Sequence, residues 1–527
     1  MSENGRPIKN IISLSLLVFL LFSVVAPVGA MFSRVTPESL RKTLSSPQFF
    51  LAARNSVMTA SAASVISLTL AMLAAWCLER VELKGKALFS AVFTAPMLLP
   101  SISHSFGLIA LFGSNGFANK LFHSKFSVYG FPGIIAGSVM YSFPVAFLML
   151  SDAFRYEDAT PHHAAQALGV PPFRRFMDIT LPYLSRPMLS SFFAVFAMVA
   201  TDYGVPLMIG GQRITLSVLM YNKAAVMGDY GAGSVIGAVL LLPAVVAFLS
   251  DFLNPPRGRS NFRTNPIAPQ SNAICQRTAR FFCGVLCAVV TAPLLAFCVM
   301  AFETKYPVNP AFTFAHIRKA IDTGIGQYLS NSLLYASLSA VFGTFLAFLC
   351  AYFTARSKGP FTKALRLASL IPMAIPGISL GLSYLIFFHD SRWYGSVWII
   401  IMANSVHFFA SPYLMMRNAL EEINPDLESV GNVLGISELR VVLDIILPGV
   451  KNTMAEMGGY FFVNSMMTIS AVSFLAPPAP KPVALMISQF NAQLLMESAA
   501  FVSLLIFCVN LFVQCLWRYG AKPLERK

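Results

Sequence analysis

Hydrogen-bonding and ionisable side chains are scarce in the long apolar runs of this 527-residue chain. Where they occur at membrane depth they mark candidate solute chemistry. His104 follows Ser101 and Ser103, just past Pro96 and Pro100. Asp202 stands near the end of a later run, His407 follows Asn404 and Ser405, and Asn464-Ser465 lies further on. Such groups either line a polar path or pair as hydrogen bonds between helices, and the residues alone leave both readings open. His162-His163 makes a poor metal pair, because adjacent helical positions diverge. Cys283 and Cys287 share a helical face, yet none of the eight cysteines forms a Cys-x-x-Cys pair, so they read as small core residues. No Ser/His/Asp set, His-Glu-x-x-His helix or Gly-x-x-x-x-Gly-Lys-Ser/Thr loop occurs. The chain therefore reads as a non-enzyme that binds no cofactor itself.

The elements that position these groups are membrane helices. The chain is 56% hydrophobic and 12% charged, about half the charge content of a soluble domain. Twelve apolar runs are long enough to span a bilayer. Six lie near 11–31, 56–78, 87–112, 131–150, 187–210 and 232–252, and six near 279–302, 329–354, 364–389, 395–416, 453–476 and 497–517. The expected fold class is an all-α membrane protein. With both termini inside, the inner loops hold 25 of the 38 Lys and Arg, as the positive-inside rule requires. The net charge of +15 thus reflects topology and lipid, with no nucleic-acid partner implied. The first outer loop departs from the rule, with Arg34, Arg41, Lys42 and Arg54. Residues 1–30 also resemble a signal peptide, but the run Ile11–Val25 is long for one. We read it as a retained first helix; its removal would set the two halves in opposite orientations.

The chain is a tandem duplication. Asn55-Ser56 recurs as Asn331-Ser332, Arg80 as Arg356, and Pro96–Ser103 as Pro372–Ser379, each 276 residues on. Six spans per half make the repeat parallel. The expected units are 1–252, a cytoplasmic linker 253–278 rich in Pro, Asn and Ser, and 279–527. The prolines Pro96/Pro100 and Pro372/Pro376 are expected to kink helices that line a central path, with Ser103, His104, Asp202, Ser379, Asn404 and His407 beside it.

A loop phrase repeats as well. His163-Ala164-Ala165 is followed by Gly169, Ile179, Leu181 and Pro182; 266 residues on, Ser429-Val430-Gly431 is followed by Gly435, Ile445, Leu447 and Pro448. Both loops, 157–182 and 421–448, suggest a helix opened at Thr160-Pro161 or Asn424-Pro425, a left-handed glycine, and a second short segment turned into the next span at the proline. A rigid element used twice suits two docking partners better than a hairpin lying on lipid.

These residues resemble the Glu-Ala-Ala loop of permeases in ATP-binding-cassette importers. His163 and Ser429 stand where that phrase has its glutamate, while the glycine-to-Leu-Pro frame is kept in both copies. Asp202-Tyr203-Gly204 is similar to a segment of the iron-type permeases. The resemblance implies a type I importer permease of MetI-like fold in a bacterial inner membrane, with two fused halves of the ferric-iron, thiamine or 2-aminoethylphosphonate branch. It further implies two copies of a cytoplasmic ATP-binding subunit holding ATP and Mg, and an extracytoplasmic substrate-binding protein. The alternative is a secondary transporter driven by an ion gradient, against which the scarcity of acidic groups in the spans counts.

Overall fold

A computed structural model describes residues 5–123, 127–253, 265–269, 271–357, 359–424, 426–475 and 481–520. The apolar runs fold as helices, as they must where no water can satisfy the backbone. In the first half these are α1 (Lys9–Ser33), α2 (Pro47–Arg80), α3 (Lys86–Leu98), α4 (Ser101–Phe112), α5 (Phe131–Arg155), α6 (Thr160–Ala167), α7 (Pro172–Ala200) and α8 (Tyr230–Leu253). In the second half they are α9 (Ala273–Met300), α10 (Ile325–Arg356), α11 (Thr362–Ala374), α12 (Gly377–Phe388), α13 (Val397–His407), α14 (Ala410–Glu422), α15 (Asp426–Val433), α16 (Leu447–Met467) and α17 (Met496–Gly520). Strands β1 (Glu303–Lys305) and β2 (Asn309–Phe312) form a small antiparallel hairpin in which Glu303 faces Phe312.

Among the described residues eight helices are long and apolar enough to cross a membrane, or eleven if each of three bent pairs is one span. The remaining expected span corresponds to α16, which has the length but carries Lys451, Glu456 and Asn464.

Three expectations change. The proline pairs do not kink continuous helices. They break them: α3 meets α4 at 107°, and α11 meets α12 at 108°. Pro96 and Pro372 sit in short 3-10 turns, while Pro100 and Pro376 cap the helices that follow. The ring fixes φ and removes an N–H, so two prolines four apart leave too few bonds to carry an α-helix through. The tenth span also bends, by 55° between α13 and α14. Finally, the fifth span begins at Pro172 and stops at Ala200, and residues 201–221 turn back through short helices Gly204–Ile209 and Leu216–Tyr221. Their apolar residues are buried in protein, which is why the run looked like a span continuing to 210.

The halves interlock. Leu16, Leu17 and Leu20 of α1 pack in a core with Phe348, Tyr352 and Met416 of the second half. Tyr384 Oη donates to Ser23 O at 2.6 Å. Reciprocally, Cys283, Leu286 and Val290 of α9 pack with Ala71, Phe147 and Leu150 of the first half. Gly107 touches the backbone of Pro293 so closely that a Cβ there would collide with it.

One continuous core joins the halves at the end opposite the two polar loops, uniting Tyr203, Leu219 and Phe297 with Phe474, Val483 and Phe490. Toward the loops the cores separate, one around Leu78, Phe93 and Phe154, the other around Phe353, Phe409 and Leu420. The molecule is thus fused at the end opposite the polar loops and divided at the loop end.

Candidate functional site

Each polar loop is built from local signals. In the first, Asp158 accepts from Thr160 N at 3.0 Å and Thr160 Oγ1 at 2.9 Å, and these bonds, the backbone one foremost, hold the Asp158 carboxyl below its usual range. In the second, Asn424 Oδ1 accepts from Asp426 N at 2.9 Å. The capping residue of the first copy is therefore Asp158, not Thr160, and it lies 266 before Asn424 like the rest of the phrase. Pro425 falls outside the described residues. Gly169 and Gly435 have φ of +73° and +72°. Val170 N bonds to Ala165 O at 3.0 Å, and Ile436 N to Gly431 O at 2.9 Å: both helices end in the same six-to-one closure, which needs the left-handed glycine.

The chain does not turn at Pro182 or Pro448. It passes through a short helix and a π turn, Phe176–Thr180 or Val442–Ile446, directly into the next span. A widened turn accommodates the proline ring, which would clash in a regular helix. The resulting helix α7 has 29 residues, about 44 Å at the α-helical rise, longer than the roughly 30 Å bilayer core. The loop and the span are one lever.

An arginine anchors each loop to the end of its half's second span. Arg80 donates to Phe154 O at 2.9 Å and forms an ion pair with the buried Glu157. Glu157 reaches on to His162 Nε2 at 2.9 Å. Arg356 donates to Leu420 O at 2.8 Å and Ile423 O at 2.7 Å, with Glu428 3.2 Å away. Burial raises the Glu428 carboxyl despite Arg356 beside it, and the 3.2 Å approach lacks hydrogen-bond geometry. Sequence reading marked Arg80 and Arg356 as landmarks; their partners are distant in sequence and gave no signal.

The loop surfaces are open. No residue of α6 is buried. His163, Ala164 and Pro182 are exposed, as are Ser429, Gly435, Ile445 and Pro448, whereas Ala165, Ile179, Leu181 and Leu447 are half-buried and Gly431 is buried. Apolar Leu168 and Phe173 in one copy, and Val433, Leu434 and Leu439 in the other, are among the most exposed side chains.

Several polar residues of the spans are buried. Among the described residues His104 and Ser103 have no partner for either ring nitrogen or for the hydroxyl. The His104 ring lies 6.2 Å from that of Tyr141. Asp202 accepts from Gly204 N at 3.2 Å and Val205 N at 3.0 Å. Asn404 Oδ1 and His407 Nδ1 lack partners too. Ser379 donates to Gly237 O at 3.3 Å, and the four prolines lie at the two helix breaks. Sequence analysis missed Tyr141, because a tyrosine in an apolar run looks like a core residue. Tyr203, Tyr221 and Phe474 lie in tilted contact across the halves, with ring separations of 4.7 and 5.6 Å.

The two halves thus repeat one plan: a capped loop continuous with a span, and bundles that interlock. A family model for the binding-protein-dependent transport system inner membrane component matches residues 67–257 and again 341–522. The chain belongs to this family. The permease is 22% identical over 497 residues to the putative ferric transport system permease protein FbpB 1 of Haemophilus influenzae, covering 89% of this chain and 78% of that one. It is 21% identical to the ferric transport system permease protein FbpB of Actinobacillus pleuropneumoniae, covering 88% and 71%. The molybdenum transport system permease protein ModB of Haemophilus influenzae matches only 32% of the chain, at 29% identity. The chain is a multi-pass permease component of an ATP-driven importer, itself no enzyme, working with ATP-binding and substrate-binding partners.

Proposed function

We propose that this permease imports iron(III), delivered by a substrate-binding protein. The observation that carries this reading is the span of the similarity. The ferric permeases align across both halves, with 89% and 88% of the chain covered, whereas the molybdenum permease aligns with 32%. Residues 1–252 and 279–527 act as the two halves, and 253–278 as a cytoplasmic linker.

Each loop, 157–182 and 421–448, seats in one copy of a cytoplasmic ATP-binding subunit, where ATP and Mg reside. The exposed Leu168, Phe173, Leu434 and Leu439 supply the apolar contact, and the lever formed by each loop and its span transmits it. Closure of the subunits on ATP draws the separated inner cores together and parts the Tyr203–Tyr221–Phe474 stack. The solute then passes His104, Asp202, Asn404 and His407 between the broken helices. Both termini would then be cytoplasmic, a reading supported by the first described helix, where Lys9 Nζ bonds Glu438 Oε1 of the second loop at 2.8 Å.

The test is uptake of radioactive iron(III) into vesicles holding the permease and its ATP-binding subunit, with loaded binding protein outside. ATP-dependent iron uptake is expected. Uptake of thiamine or 2-aminoethylphosphonate instead would assign another solute, and ATP-independent uptake driven by an ion gradient would overturn the reading.

A further inference from the structure

The basic residues that break the positive-inside pattern belong to a second internal repeat. Thr36, Leu40, Arg41, Lys42 and Leu44 recur, 277 residues on, as Thr313, Ile317, Arg318, Lys319 and Ile321. Both segments are eight-residue helices, Pro37–Leu44 and Ala315–Asp322. Thr36 caps the first by accepting from Ser39 N at 3.1 Å, and Thr313 Oγ1 accepts from Ala315 N at 3.0 Å.

Their placement is equivalent as well. Ser39 lies against Gly231 at the start of α8. His316, the matching residue, lies 3.3 Å from Ser498 at the start of α17 and binds Glu303 O at 2.8 Å. Thr43 and Ala320 are the buried face of each helix. Arg41, Lys42, Arg318 and Lys319 point outward and are exposed, and among the described residues no ion pair engages any of them. Each half thus fixes one unneutralised cation pair rigidly at the end opposite the coupling loops.

We propose that these two helices are a paired docking surface for the acidic faces of the substrate-binding protein, one pair for each side of its cleft. The inference rests on the importer reading. Membrane topology disfavours cations outside, so a pair kept in both copies of a diverged duplication serves a contact there. Two separated points also suit a partner that must be held across both halves while they rock apart. Exposed charges of this kind act mainly on association rate and salt sensitivity.

The experiment uses the full permease with its ATP-binding subunit in lipid nanodiscs, and the binding protein encoded beside it. R41E/K42E and R318E/K319E should each slow association by about tenfold at low salt and flatten its salt dependence, with the four-site variant worse than either. Basal ATP hydrolysis should be unchanged, and acidic-to-basic substitutions on the binding protein should restore association. Unaltered association in both variants overturns the surface while leaving the importer intact. So does an effect that tracks phosphatidylglycerol content with binding-protein association unchanged, which would assign the cations to lipid headgroups. A wild-type permease that no binding protein engages would overturn the importer reading itself.

Discussion

Arg80 at the end of α2 holds Glu157 at the root of the first coupling loop in an ion pair that leaves the glutamate side chain 2% exposed. The equivalent Arg356 grips two backbone carbonyls and stands beside a more exposed Glu428. The same residue thus ties loop to span in both halves, with a buried charge partner in only one.

Removing Arg80 should therefore cost more than removing Arg356. R80A leaves a buried carboxylate with only His162 beside it, at about 3–5 kcal/mol, whereas E157Q leaves Arg80 the Phe154 carbonyl and ring and costs less. Thermal unfolding in detergent ranks the variants. Co-purification of the ATP-binding subunit reports whether the loop keeps its pose. Equal effects of R80A and R356A would show that the buried pair is not what matters.

Gly169→Val and Gly435→Val should disable docking through backbone strain alone. Nothing lies within 4 Å of a Cβ at either position, so the penalty is conformational, about 1–2 kcal/mol for a left-handed residue. Asn at the same sites should retain most uptake, since it tolerates that conformation. Loss of uptake with Asn as severe as with Val would refute the turn's role.

The halves solve one packing problem in opposite ways. Ser101 faces Gly204 in the first, while Gly377 faces Ser470 in the second, and the positions correspond. A Cβ on Gly377 would fall 2.6 Å from Ser470 Oγ and 2.8 Å from His407 Nε2. G377S should destabilise by about 1–3 kcal/mol through overpacking. G377S/S470G should recover stability, because it recreates the first half's arrangement. Failure of the double variant to recover in a melting assay would mean that His407 alone sets the limit.

Glu428 should make the second loop lose stability as pH rises from the acid range. Its folded carboxyl is raised by burial, so the protonated form is favoured in the folded state. That contribution is full below the unfolded value of about 4.3 and is lost as pH rises through the folded one. E428Q should abolish this dependence and cost little at neutral pH. Matching pH profiles of wild type and E428Q, followed by hydrogen exchange across 426–433, would count against it.

Tyr221 bridges Tyr203 of one half and Phe474 of the other. Y221A should loosen the outer closure and raise ATP hydrolysis in the absence of binding protein, with solute uptake per ATP reduced. Unchanged basal hydrolysis would remove the stack from the gate.

The residues by themselves determined what is local or periodic. Apolar length fixed the helices, the 276- and 266-residue offsets fixed the duplication, and the glycine positions fixed where each polar loop turns. Each of these depends on backbone chemistry within a few turns, so it is written contiguously. Even so, sequence reading placed the first cap at Thr160, because Thr before Pro is itself a helix-start signal, whereas Asp158 accepts from Thr160 N; it also took the proline pairs as kinks where they break the helix.

The tertiary structure decided everything that joins distant segments. It decided that α1 and α9 exchange bundles, that Arg80 finds Glu157 and Phe154, and that the His104 and Tyr141 rings lie beside each other. It also decided that the core opposite the polar loops is shared while the cores at the loop end are apart. Apolar faces in such a bundle are chemically alike, and only their shape complementarity, expressed once all the helices are packed, selects which pairs meet.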